Sequence, residues 1–155
     1  PQLSRIRIHS RLPVVLPDRL TPELLTRLNR SRLKTVLVIH ANHPNEVDAE
    51  VTEKLMHAQD SGLTLLNQSV LLRGINDSVS TLALLSEKLF AAGVLPYYLH
   101  LLDQIQGAAH FDIDRQEALE IYHELSHRLP GYLLPRLARE EAGKKSKTLL
   151  GGGCG

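Results

Sequence analysis

Residues 63–77 read LTLLNQSVLLRGIND, and this stretch decides which fold the chain can adopt. An apolar run meets the polar cluster Asn67-Gln68-Ser69, and a second apolar run ends at Arg73-Gly74. Polar groups are costly to bury unless they are hydrogen-bonded. The pattern predicts a buried strand that ends in polar residues, which either form a turn or face a ligand.

Short apolar runs like this one recur along the chain. Their first residues follow one another at intervals of 27 to 35 residues. Each run is typical of a buried parallel strand. The other runs are RIRI (5–8), VLVI (36–39), YYLHLL (97–102) and the weaker YLLPRL (132–137).

Amphipathic helical patterns fill the intervals between the apolar runs. The first begins at Thr21, a good N-cap, followed by Pro22 at the first helical position. The others cover residues 47–59, 78–92 and 114–129, and Asp77 or Ser78 caps the third. Strands that alternate with helices predict consecutive βα units and a parallel sheet.

Two architectures accommodate this repeat: a (β/α) barrel and an open, doubly wound sheet. Four or five units are too few for a closed barrel, which needs about 250 residues. No glycine-rich dinucleotide turn follows a strand, which argues against a Rossmann site. From the repeat alone the chain is either a piece of a larger (β/α) barrel or an open sheet, and both alternatives stay open at this point.

Composition and charge narrow the functional classes. The 155 residues are 43% hydrophobic and 23% charged, with a formal net charge of +1. No run is long enough to cross a membrane, and the charge does not indicate a nucleic-acid partner. The lone cysteine, Cys154, excludes a disulfide framework within the chain. These features predict a cytoplasmic protein without a nucleic-acid or membrane partner.

Polar residues gather where each predicted strand ends. In both architectures ligands bind at the carboxyl ends of parallel strands. One such cluster is explained by turn chemistry, but five in succession favour a ligand site. The clusters are residues 9–11, residues 40–46, residues 67–69 with Arg73, Asp103, and Arg139-Glu140.

Several of these residues have two interpretations from sequence alone. His40, His43 and Glu46 could hold a metal, but Pro44 makes a continuous helical ligand face unlikely. His9 and His100 lie within or beside apolar runs and are either hydrogen-bonded core histidines or ligands. Arg73 either binds a ligand or stabilises its own loop. Asp103 either holds a cationic ligand or caps a turn.

The tail sequence GKKSKT (143–148) lacks the glycine spacing of a phosphate-binding P-loop. Lysines in a tail are usually solvated, although a lysine held by a scaffold can form a Schiff base with pyridoxal phosphate.

Several blocks of this sequence together resemble the lysine 2,3-aminomutase family, which are radical S-adenosylmethionine enzymes that also use pyridoxal phosphate. The resemblance runs in order from about Arg5 to Leu150. It is strongest to the bacterial branch that makes (R)-β-lysine for elongation factor P. The blocks are HSRLPVVLP (9–17), HANHPNEV (40–47), NQSVLLRGIND (67–77), PYYLHLLD (96–103), GAAHF (107–111), GYLLPRLARE (131–140) and SKT (146–148).

The resemblance implies the C-terminal half of a partial, TIM-like (β/α) barrel of the radical SAM type in residues 1–143, followed by a tail in residues 144–155. It also assigns roles to five residues. Lys147 matches the lysine that carries pyridoxal phosphate. Asp103 matches a carboxylate that binds the ε-ammonium of substrate lysine, and Glu140 matches a second one. His40 and Gln68 match residues that contact S-adenosylmethionine.

The resemblance also implies the reaction, in which a 5′-deoxyadenosyl radical and a pyridoxal phosphate aldimine convert (S)-α-lysine to (R)-β-lysine. Its partners would be free L-lysine and, indirectly, elongation factor P and the ligase that attaches the product. A homo-oligomer is compatible with it. Two alternatives stay open: a mutase for another amino acid such as glutamate, and a non-catalytic βα ligand-binding module.

One departure from the family pattern is large. The family binds a [4Fe–4S] cluster through a CxxxCxxC motif, and this chain has one cysteine. The arginines that follow that motif are absent too. We therefore expect the chain by itself to be inactive.

Overall fold

The computed structural model describes residues 2–102, 109–139 and 147–150. These residues form one six-stranded sheet in which the spatial order of the strands is their order in the chain. The first five strands are parallel and the sixth is antiparallel to the fifth. The strands are β1 (Arg5–His9), β2 (Lys34–Ile39), β3 (Thr64–Leu71), β4 (Val94–Leu101), β5 (Arg136–Arg139) and β6 (Thr148–Leu149).

Helices connect the parallel strands, as the repeat predicts. In the described residues they are α1 (Leu12–Val15), α2 (Pro22–Asn29), α3 (Ala49–Asp60), α4 (Val79–Ala91) and α5 (Arg115–Arg128), with 3-10 turns at Pro17–Arg19, Pro44–Glu46 and Ala109–Phe111. A doubly wound sheet reverses its strand order at a switch point, and the described strands show no reversal. The fold is therefore a half-barrel, which confirms the predicted partial (β/α) barrel. None of the described helices combines the length and apolar character needed to cross a bilayer.

The hydrophobic core lies on one face of the sheet, under the helices. One cluster joins Leu37 of β2 and Leu65 of β3 to α3 and α4. A second cluster joins Leu71, Leu99 and Leu137 of β3, β4 and β5 to α4 and α5. Because strand side chains alternate between faces, the intervening residues point away from the helices.

Helix boundaries follow the predicted capping residues. Thr21 accepts a hydrogen bond from the Leu24 amide, and Ser78, one of the two predicted caps, accepts one from the Thr81 amide. Asp48 and Asp114 cap α3 and α5 in the same way. The predicted helical segments are thus confirmed to within a few residues.

All five predicted strands shift their bounds in the structure, and two of them differ most. β3 does not stop at Asn67 but continues through the polar cluster to Leu71. The last parallel strand is residues 136–139 rather than 132–137, because the segment that follows Pro130 makes a turn closed by the Leu133 amide and the Pro130 carbonyl. The antiparallel pairing of residues 148–149 with β5 was not predicted.

Candidate functional site

The face of the sheet opposite the helices collects the polar strand residues. Ile8 and Leu99 contact the helix-side clusters, so their neighbours in β1 and β4 face the other way. We call this side the open face, and it is defined here by Arg7, His9, Gln68, Tyr98 and His100.

Strand register brings residues of the open face together. Gln68 of β3 lies beside Tyr98 of β4, and Val70 lies beside His100. An irregularity in this pairing skips Tyr97. A bulge of this kind re-aims the side chains that follow it. Without it, Tyr98 and His100 would face the helices.

Lys147 extends over this face. Its Nζ atom lies 3.0 Å from His100 Nε2 and 4.6 Å from the centroid of the Tyr98 ring, within the range of a cation–π contact. The lysine directly precedes β6, whose Thr148 pairs with Arg139.

The residue that follows β6 anchors the segment. Leu150 donates its amide to the Leu137 carbonyl at 2.8 Å, and its side chain is buried in the second core cluster. The lysine is therefore held by a short strand with a buried apolar end.

Two histidines lie at the same end of the sheet. The rings of His9 and His40 are 5.9 Å apart. Burial lowers the pKa of both, and the charge of Lys147 lowers it further. Arg7 also lowers the pKa of His9, and His9 and Arg11 also lower that of His40. Because Lys147 acts on both rings, the structure brings together the predicted residues Lys147 and His40. Both imidazoles favour the neutral form at pH 7 and can accept a hydrogen bond.

Gln68, the third predicted cofactor residue, is almost fully buried on the open face. Its neighbours in β3, Asn67 and Ser69, face the helices and bind the backbone of Ala41. Asn67 Oδ1 accepts the Ala41 amide at 2.9 Å, and Asn67 Nδ2 donates to the Ala41 carbonyl at 3.0 Å. Ser69 Oγ donates to the same carbonyl at 2.9 Å. These two residues therefore fix the backbone directly after His40.

Further amides hold the loop between β2 and α3. The Val70 amide donates to Asn42 Oδ1, and Asn76 Nδ2 donates to the Asn42 and Val70 carbonyls. Glu46 Oε1 accepts the amides of Asn42 and His43, while Oε2 accepts from Arg11. His43 and Glu46 therefore form the turn itself. Within the described ranges no group of three or more His, Cys, Asp or Glu residues is placed to hold a metal ion.

Arg73 has a structural partner. Its guanidinium binds both carboxylate oxygens of Glu117, at 2.7 and 3.3 Å, and its Nε donates to the Asp112 carbonyl at 3.0 Å. The structure therefore favours the loop-stabilising interpretation of Arg73.

Two predicted substrate residues, Asp103 and Glu140, lie outside the described residues, and their roles stay predictions. Tyr98 is a site residue that the sequence analysis did not single out, and His100 was singled out only as either a core histidine or a ligand. The signal available was their alternate spacing in β4, which puts both on the face that carries Gln68.

The chain is similar to known proteins along nearly all of its own length. No protein-family model matches the chain. It is 54% identical over 149 residues to the L-lysine 2,3-aminomutase of Haemophilus influenzae and 53% identical over 150 residues to that of Escherichia coli. Each match covers at least 96% of this chain but 44% of the relative. The enzyme of the same name from Clostridium subterminale is 40% identical and is covered to 35%.

The fold is also found among solved structures. A radical SAM methyltransferase from Sphaerobacter thermophilus superposes with a TM-score of 0.57 at 15% identity, over 76% of this chain and 37% of that one. The chain thus spans less than half the length of the proteins it matches. Similarity along nearly all of its own length confirms the predicted relationship to the lysine 2,3-aminomutase family.

Proposed function

We propose that this chain forms part of an L-lysine 2,3-aminomutase that converts (S)-α-lysine to (R)-β-lysine, and that the open face holds its organic cofactors. The observation that carries the proposal is the placement of Lys147, which reaches over the open face beside Tyr98 and His100. The names of the relatives that match 96% or more of the chain supply the reaction. In the bacterial branch the product would serve elongation factor P.

The described residues fit pyridoxal phosphate. Lys147 offers an amine beside an aromatic ring. A hydrogen bond with Tyr98 is the main cause that raises the pKa of Tyr97. The charges of Arg136 and Arg7 lower it, so both guanidinium groups lie near Tyr97. Guanidinium groups are suited to a phosphate. When bound, the cofactor supplies a conjugated ring that stabilises an unpaired electron next to a migrating nitrogen.

The fit differs for the other two cofactors. His40 directly follows β2, and Gln68 lies in the carboxyl half of β3. These polar residues suit S-adenosylmethionine, the source of the 5′-deoxyadenosyl group. The [4Fe–4S] cluster finds no ligand set, because the chain has only Cys154, in the terminal GGGCG. The cluster is therefore not assigned to this chain, which we expect to be inactive alone.

Two carboxylates would select the substrate. We assign Asp103 and Glu140 to the ε-ammonium of lysine, since opposite charges hold the far end of the substrate in place. A carboxylate at this position would repel the side chain of glutamate. The assignment thus predicts lysine over glutamate as substrate.

A chimaera tests this proposal. This chain replaces the matching segment of the Haemophilus influenzae relative, and β-lysine formation is measured after iron–sulfur reconstitution. We expect turnover of lysine but not of glutamate, and loss of turnover in Lys147→Arg. A soluble chimaera that loads its cluster but turns over neither amino acid would contradict the proposal.

Asp103→Asn is the matched substrate variant. It keeps the shape of the side chain and removes its charge, so the KM for lysine should rise by about tenfold or more, as expected for the loss of a charged partner. An unchanged KM would remove Asp103 from the substrate site.

A further inference from the structure

The contact between Lys147 and His100 is one between two nitrogens that both carry exchangeable protons. A lysine ammonium donates three hydrogen bonds and accepts none, whereas a neutral imidazole has one donor and one acceptor. At 3.0 Å from Lys147 Nζ, His100 Nε2 therefore either accepts from the ammonium or donates to the neutral amine. In both cases one proton lies between the two nitrogens.

Both partners are held from opposite sides. His100 belongs to β4, which is hydrogen-bonded to strands on both sides through Val70 and Ala138. Lys147 is anchored by the short strand β6 and the buried side chain of Leu150. Backbone pairing thus places the two residues within reach of each other.

Other ionisable groups lie around the pair. The charge of Lys147 reaches His9 at the end of β1 and His40 after β2. Tyr98 lies beside the pair on β4, and Arg136 of β5 pairs with Tyr98 in register. Among these described neighbours, His100 has a ring nitrogen at hydrogen-bond distance from Lys147 Nζ.

We propose that His100 is the group that takes a proton from Lys147 Nζ and thereby presents a neutral amine to an incoming carbonyl compound. This inference rests on the proposed function only for the identity of that carbonyl compound. The proton moves from Nζ to Nε2, which leaves a neutral amine and an imidazolium. With an aldehyde, a C=N bond forms and the carbonyl oxygen leaves as water with two protons, one from the amine and one returned by the imidazolium.

Acetylation of the chain without any cofactor tests the inference directly. Trace acetic anhydride is added at pH 6 to 10, and the label on Lys147 is compared with that on exposed Lys34 by peptide mapping. An N–C bond forms, acetate leaves, and the nitrogen proton is released. At pH 7 we expect Lys147 to react faster than Lys34, and His100→Phe to slow Lys147 by about tenfold or more, the lower range of general-base effects.

His100→Gln separates proton transfer from positioning. Glutamine accepts the same hydrogen bond but cannot take the proton, so Lys147 should be as slow as in His100→Phe. Wild-type reactivity in His100→Gln would overturn the proposal, and so would unchanged reactivity in a folded His100→Phe. Circular dichroism checks the fold of each variant.

The acetylation experiment can contradict this inference without contradicting the proposed function, and the reverse also holds. If Lys147 is reactive towards acetic anhydride and His100-dependent but is never labelled with pyridoxal phosphate, the cofactor assignment falls and this inference stands. If pyridoxal phosphate labels Lys147 but the acetylation rate of Lys147 does not depend on His100, only this inference is contradicted.

Discussion

Two sides of one strand carry neighbouring polar residues with different tasks. On the helix-covered face of β3, Asn67 and Ser69 bind both the amide and the carbonyl of Ala41. On the open face, Gln68 lies between them in sequence and beside Tyr98, over which Lys147 extends. The difference shows that one polar cluster in a buried strand can serve two purposes. Asn67 and Ser69 fix a loop on one face, while Gln68 between them lines a candidate ligand site on the other.

The largest expected effect on stability comes from breaking the helix-covered side. Asn67→Ala leaves the buried amide and carbonyl of Ala41 without this partner, which should lower the free energy of unfolding by about 2–4 kcal/mol. Urea denaturation measures it. Gln68→Ala is the matched control on the open face and should cost less. Equal losses of the free energy of unfolding in the two variants would contradict the distinction between the two faces.

A smaller loss is expected where the strand that carries Lys147 is anchored. Leu150 is 6% exposed, so Leu150→Ala should lower the free energy of unfolding by about 2 kcal/mol, near the low end for buried leucines. It should also slow the acetylation of Lys147. Leu149, at 52% exposed, is the control, and Leu149→Ala should change neither quantity. If the two variants behave alike, the anchor is wrongly assigned.

The open face should make stability depend on pH. The pKa values of His9 and His40 are lowered on folding, mainly by burial, so the unfolded chain binds more protons below about pH 6.5. Stability should therefore be fully present above that pH and fall as the pH drops below it. Thermal melts from pH 8 to pH 5 measure this, and His9→Asn/His40→Asn should flatten the dependence. If the pH dependence of stability is unchanged in the double variant, groups other than His9 and His40 cause it.

The smallest effect is expected at the exposed ion pair just beyond the end of β3. Arg73 and Glu117 form an exposed ion pair, with side chains 45% and 38% exposed. Exposed pairs contribute little. Arg73→Ala should change stability less than Leu150→Ala and leave acetylation of Lys147 unchanged. A loss of Lys147 reactivity in this variant would show that Arg73 contributes to the candidate site.

The sequence allowed the alternation of strands and helices to be predicted, because periodicity and capping residues are local signals. It did not allow the end of β3 to be predicted. The partners of Asn67 and Ser69 lie 26 and 28 residues away, so the sequence could not show that these side chains are satisfied inside a strand.

The candidate site divides in the same way. Resemblance pointed to Lys147, His40 and Gln68. Strand register was needed to find Tyr98 and to place His100, which the sequence left as either a core histidine or a ligand. The irregularity at Tyr97 sets which residues of β4 face Gln68, and no local pattern in the sequence announces it.

The central claim is that the open face holds a pyridoxal phosphate site built on Lys147. The most direct measurement is to add pyridoxal phosphate to the chain, record the absorbance between about 330 and 430 nm, reduce with borohydride and map the labelled peptide. The account predicts that the label lies on Lys147 and is lost in Lys147→Arg. Label spread equally over Lys144, Lys145 and Lys147, or no labelled lysine, would contradict it.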